Sequence, residues 1–60
     1  MNAILAINIV EGDAESEEQA LEAWQYLVNT GLAFQLQGSY GRTAARLIEE
    51  GLINAPEVTA

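Results

Sequence analysis

Ser16-Glu17-Glu18-Gln19-Ala20-Leu21-Glu22-Ala23-Trp24-Gln25-Tyr26-Leu27-Val28-Asn29-Thr30-Gly31 reads as a capped amphipathic helix from end to end. Ser16 is a helix-starting residue with Gln19 three positions on, the spacing of a capping box. Glu17 and Glu18 fill the first turn, where the helix dipole favours anions. Ala20, Leu21, Trp24, Leu27 and Val28 then recur at intervals of three and four, a stripe that faces a core, while Glu22, Gln25 and Asn29 face away. Gly31 supplies the left-handed residue that closes such a helix.

Toward the C-terminus the same ending comes round again. Leu27-Val28-x-x-Gly31-Leu32 is echoed by Leu47-Ile48-x-x-Gly51-Leu52, as expected of two helices that stop in the same way. With Gly31 and Gly51 in the position after each cap, Leu32 is placed to meet Leu27 and Leu52 to meet Leu47. The spacing predicts this further helix from about Ser39 or Tyr40 to Glu50. Ala44, Leu47 and Ile48 form its buried stripe, with Arg42, Arg46, Glu49 and Glu50 largely outside it. Arg46 has Glu49 and Glu50 within helical reach, contacts worth a few tenths of a kcal/mol each.

Toward the N-terminus the reading divides. Ile4, Ile7, Ile9 and Val10 are β-branched and favour a strand. A lone strand needs a partner, however, and only Phe34-Gln35-Leu36 offers a second. Gly12 suits a helix terminator, and helix puts Ala3, Ile4, Ile7 and Val10 on one face. The expectation is therefore an all-α, compact three-helix domain over residues 1–54, with Leu21, Trp24, Leu27, Val28, Phe34, Leu47 and Ile48 in one core. Residues 55–60 are expected to form a flexible tail.

Sixty residues make one domain at most, and half of them are hydrophobic. A chain this short buries only about 60% of its unfolded surface. It has no Cys for a disulfide or thiolate site and no His for an imidazole ligand or base. Helix packing or self-association must then stabilise it, and a dimer is the simplest form. The formal charge is −7, from nine acids against Arg42 and Arg46. Residues 1–30 hold six of the acids and no base. Such a chain repels nucleic acid and anionic membrane and is drawn to basic protein surfaces, although an acidic face also simply promotes solubility. The apolar run from Ala3 to Val10 is too short to span a bilayer and lacks the basic start of a signal peptide, so a cytoplasmic protein is expected.

Two stretches invite a site. Counting from Glu11, acids fall at loop positions 1, 3, 5 and 12 (Glu11, Asp13, Glu15 and Glu22), an echo of a calcium loop. Ser16 occupies the place where that loop requires Gly, and the capped helix has begun by Glu17. A solvated acidic turn is the reading, with no metal and no cofactor expected. Gly38-Ser39-Tyr40-Gly41-Arg42-Thr43 suggests an anion-binding turn, since a glycine turn opening a helix presents free N–H groups. It lacks the Gly-Lys-Ser/Thr of a phosphate loop and the basic surroundings of an RNA-clamping Gly-x-x-Gly turn. The alternative is a tight connection between helices with Tyr40 packed into the core.

Arg42 stands out because a cation in the first helical turn opposes the dipole, and positions 38, 39, 45 and 46 hold no acid. A residue that breaks a local rule without compensation is a candidate contact residue. Tyr40, Gln35 and Gln37 flank it in sequence, and Tyr26 falls off the core stripe. These five residues form the candidate interaction surface, with a pairing of Arg42 to an acid of the middle helix as the alternative. Without a positioned base or nucleophile, no catalytic residue and no enzymatic activity are expected.

Thr30-Gly31-Leu32-Ala33-Phe34-Gln35-Leu36-Gln37-Gly38-Ser39-Tyr40-Gly41-Arg42-Thr43-Ala44, followed by Leu47-Ile48 and Gly51-Leu52, resembles a family of very small bacteriophage proteins of unassigned activity. The likeness covers roughly residues 12–53, with Phe34 where relatives carry Trp, and residues 1–10 match poorly. It implies a phage origin and a place in the host cytoplasm. The function expected is an accessory one, binding a host or phage protein. The alternatives are a homo-oligomeric structural or assembly component, and a binder of a small anion such as a nucleotide at Gly38–Thr43.

Overall fold

The computed structural model describes residues 1–36 and 38–56, and every regular element among them is helical. Helix α1 spans Ala3–Asn8, α2 Glu17–Asn29, α3 Leu32–Gln35 and α4 Gly38–Glu49. The all-α expectation holds, with one single-turn helix, α3, added between the two longer ones. No helix among the described residues is long and apolar enough to cross a membrane.

Each helix start has a chemical cause. Asn2 accepts the Leu5 N–H at 2.8 Å and caps α1. Ser16 accepts the Gln19 N–H at 3.1 Å, while the Gln19 amide oxygen reaches back to the Glu15 N–H at 2.7 Å. This is the expected capping box, with the return bond displaced by one residue. After Asn8 the first helix widens to π pitch over Ile9–Asp13, where Gly12 at φ 136° takes the chain out of the helical path.

The glycine endings are where the sequence placed them. Gly51 has φ 78°, a left-handed conformation that L side chains adopt at a cost. Its N–H reaches the Ile48 carbonyl at 3.0 Å and the Leu52 N–H reaches the Leu47 carbonyl at 3.0 Å. Together these bonds complete a Schellman motif. At Gly31, φ 82°, the bond to the Val28 carbonyl forms alike. There Leu32 begins α3 directly, and the Thr30 hydroxyl caps the end of α2 by donating to the Tyr26 and Leu27 carbonyls.

The core is built on small residues. Ala6, Ala23, Ala33 and Ala44 are buried together with Ile9, Leu27, Val28 and Ile53, so the helices approach closely. Ile7, Val10, Leu21, Trp24, Tyr26, Leu32, Tyr40, Leu47 and Ile48 pack around that centre, partly buried. Helix α1 lies on α2, α2 on α3, and α3 on α4.

Two expectations about burial, at Phe34 and Tyr26, are corrected. Phe34 is 51% exposed, because the single turn of α3 buries Ala33 and points its neighbour outward. In the first segment Ala6 and Ile9 are the buried residues, while Ile4 is 75% exposed. After Gly51, Leu52 stays 52% exposed, and the next residue, Ile53, takes the buried place. Tyr26, expected off the core stripe, is partly buried against the core. The C-terminal segment through Pro56 has no regular structure, and the remainder of the expected tail lies outside the described residues.

Candidate functional site

Tyr40 is the hinge point of the candidate surface. It stands in the first turn of α4, and its ring tilts against Trp24 of α2 with centroids 5.5 Å apart. Its hydroxyl donates to the Glu11 carboxylate, which sits in the widened end of α1. This bond joins residues 29 positions apart and ties the first helix to the last. Holding the proton on behalf of Glu11 raises the Tyr40 pKa above the ordinary 10.0; burial and the charge of Glu11 add to the shift.

Beside this pair lies a pocket of about 230 Å³ lined by Ile7, Glu11, Leu36 and Tyr40. Three of its walls are apolar or aromatic, and Glu11 supplies its one charge. Ile4 precedes Ile7 by one helical turn, and Phe34 precedes Leu36 by two residues. The Phe34 ring also lies over Gly41, where a side chain would meet its edge at 3.7 Å. Leu36, which lines the pocket, is itself 40% exposed, and Ile4 and Phe34 are exposed apolar residues near the lining residues in sequence.

A second, wider cleft of about 310 Å³ opens on the other side of α2, between Glu18, Leu21, Glu22, Gln25, Leu52 and Ile53. It is held shut at its base by hydrogen bonds. The Gln25 amide donates to the Asn54 carbonyl at 3.0 Å and accepts the Asn54 N–H at 2.6 Å, fixing the segment after α4 onto α2. Gln25 therefore turns toward the C-terminal segment instead of facing away.

The described residues of the five singled out in the sequence do not meet on one face. Arg42 follows Tyr40 by two positions, roughly 200° around the helix, and stands exposed on the outer face of α4. Among the described residues it makes no ion pair, so the pairing with an acid of the middle helix is not formed; Arg46 beside it pairs with Glu50 at 3.8 Å. Gln35 is exposed at the end of α3, Tyr26 packs on the core, and Gln37 lies outside the described residues. Gly38–Thr43 is the first half of α4 itself rather than a loop before it.

Glu11, Ile7 and Leu36 are the residues that sequence reasoning missed. Nothing local links Glu11 to Tyr40. Phe34, Gln35 and Leu36 are all exposed, so this stretch shows no apolar side turned inward. Among the described residues no three acids gather as a metal site.

The chain matches, over residues 2–60, a family described as a domain of unknown function, DUF7417, and it belongs to that family. No curated protein and no solved structure matches it.

Proposed function

We propose that this member of the DUF7417 family acts by binding another protein, through the apolar rim around the Glu11–Tyr40 pair. The observation that carries the reading is the exposure of Ile4, Leu5, Phe34 and Leu36 on a chain that has few large side chains to bury. Apolar side chains grouped around a pocket and flanked by polar residues mark interaction surfaces. The acidic balance adds long-range steering toward a basic partner. The resemblance of residues 30–44 to very small bacteriophage proteins points to a phage accessory protein whose partner is a host or phage protein met in the host cytoplasm.

Self-association is the second reading, favoured by a core in which, among the described residues, Leu27 and Val28 are the only fully buried large side chains. An anion at the start of α4 is the weakest reading, because Tyr40 in that first turn already holds the Glu11 carboxylate. Capture from a host lysate by wild type and by the double variant Ile4→Ser, Phe34→Ser tests the proposal. A stoichiometric partner recovered by wild type and lost by an equally folded variant supports it. Recovery unchanged by the variant, or of this chain alone, overturns it.

A further inference from the structure

We propose that the pocket between Ile7, Glu11, Leu36 and Tyr40 receives a long basic side chain, arginine above all, presented by the partner protein. The stem of that side chain lies against Ile7, Leu36 and the Tyr40 ring, and its head meets the Glu11 carboxylate. This inference rests on the protein-binding reading above and names what the partner must present.

The size of the pocket comes first. At about 230 Å³ it falls below the roughly 300–1,000 Å³ of sites for whole small ligands. One extended side chain fits that space. Its chemistry comes second: apolar walls with a single carboxylate match an alkyl stem that ends in a cation. Tyr40 occupies one oxygen of Glu11, and among the described residues no donor reaches the other. The Tyr40 ring adds a face on which a guanidinium stacks, and that planar, weakly hydrated group suits such a place better than an ammonium. Leu36, a lining residue that is 40% exposed, and the Ile7 side chain keep water from the contact once a partner sits down, as apolar surroundings do for a central anchor.

Charge complementarity selects a foreign protein over a second copy. Residues 1–30, which supply Ile7 and Glu11, carry six acids and no base. A second copy brings another net −7 and only two arginines, one of them already on Glu50. Like charge therefore opposes docking between copies, while a basic partner is attracted from a distance.

The test uses isotope-labelled full chain titrated with a short amphipathic helical peptide of Leu, Ala and Arg, and with the same peptide carrying neutral citrulline for Arg. Trp24, the one tryptophan, rests on Tyr40 and gives a second, optical readout. The arginine peptide is expected to shift the amide signals of Ile7, Glu11, Leu36 and Tyr40 and to bind about tenfold tighter than the citrulline peptide, a difference of about 1.4 kcal/mol. Glu11→Gln, which keeps a weaker, neutral acceptor for Tyr40, should abolish that preference while the chain stays folded at the titration temperature. Tyr40→Phe, which frees the carboxylate, should keep it.

Equal binding of the two peptides, an intact preference in Glu11→Gln, or shifts confined to Glu18 and Glu22 overturn the proposal. Concentration-dependent shifts at the pocket without peptide assign it to a second copy and overturn it as well. If the preference fails while the Ile4→Ser, Phe34→Ser variant still loses its captured partner, only the pocket assignment falls. If capture is also indifferent to that variant, the protein-binding reading falls with it.

Discussion

The two sides of α2 are built on different principles. On one, the Schellman ending at Gly51 and the two bonds between Gln25 and Asn54 satisfy the backbone as the chain leaves α4. On the other, α1 meets the start of α4 through one hydroxyl–carboxylate bond, and large apolar side chains are left facing water. The first side spends its polar groups on itself and behaves as scaffold. The second holds its geometry with little and leaves surface available for contact. On the proposed reading, the segment after α4 serves folding and the Glu11–Tyr40 pocket serves binding.

Changes on the scaffold side should weigh most on stability. Gly51→Ala forces a side chain into φ 78° and is expected to lower stability by about 1–2 kcal/mol. For a domain this small that is a fall in Tm of roughly 4–16 °C, read by thermal circular dichroism. Gly38→Ala, at a helix start with open space around it, is the control and should leave Tm nearly unchanged. Gln25→Ala removes both bonds to Asn54 and should cost about 0.5–1.5 kcal/mol in denaturant unfolding. If it costs nothing, the clamp is not what holds the C-terminal segment.

The Glu11–Tyr40 bond is the point at which the contact side gains its own stability. The pKa of Tyr40 is raised in the fold, so its contribution is complete below the unfolded value of 10.0 and is lost as pH rises through the higher folded value. Wild type should therefore lose stability at alkaline pH more steeply than Tyr40→Phe, which lacks this group. Parallel profiles would show that the bond does not couple to folding. Phe34→Ser should change stability least, within about 0.5 kcal/mol, because the ring is already half in water. Its effect belongs to partner capture.

How much of this was legible in the sequence follows the same division. Helix α2 was readable to its caps, since Ser16, Gln19 and Gly31 act through neighbours a few residues away. Gly12, Gly31 and Gly51 marked three chain reversals correctly, because a left-handed backbone is a local demand. The β-branched residues of α1 argued for strand, and the Gly12 terminator and the missing partner strand argued correctly for helix. Sidedness in the short elements was not readable. A single turn such as α3 has no stripe, so Phe34 was assigned to the core that Ala33 occupies. A reading weighted toward large side chains also undercounts alanine, although Ala6, Ala23 and Ala33 are buried here because close helix approach selects small residues. The pocket was the least legible part, since Glu11, Leu36 and Tyr40 are brought together only through tertiary packing, with α1 and α3 both on α2 and α4 on α3. Arg42 drew notice by its position in the first turn, and the structure turns it to the opposite face from Tyr40.

Amide hydrogen exchange on the chain, alone and bound to its captured partner, tests the division between the two faces most directly. The account predicts slowed exchange over residues 3–11 and 32–36, with residues 21–25 and 50–54 unchanged. Slowing confined to residues 18–25 and 50–54 would contradict it, placing the contact on the clamped side and leaving the apolar rim without a role.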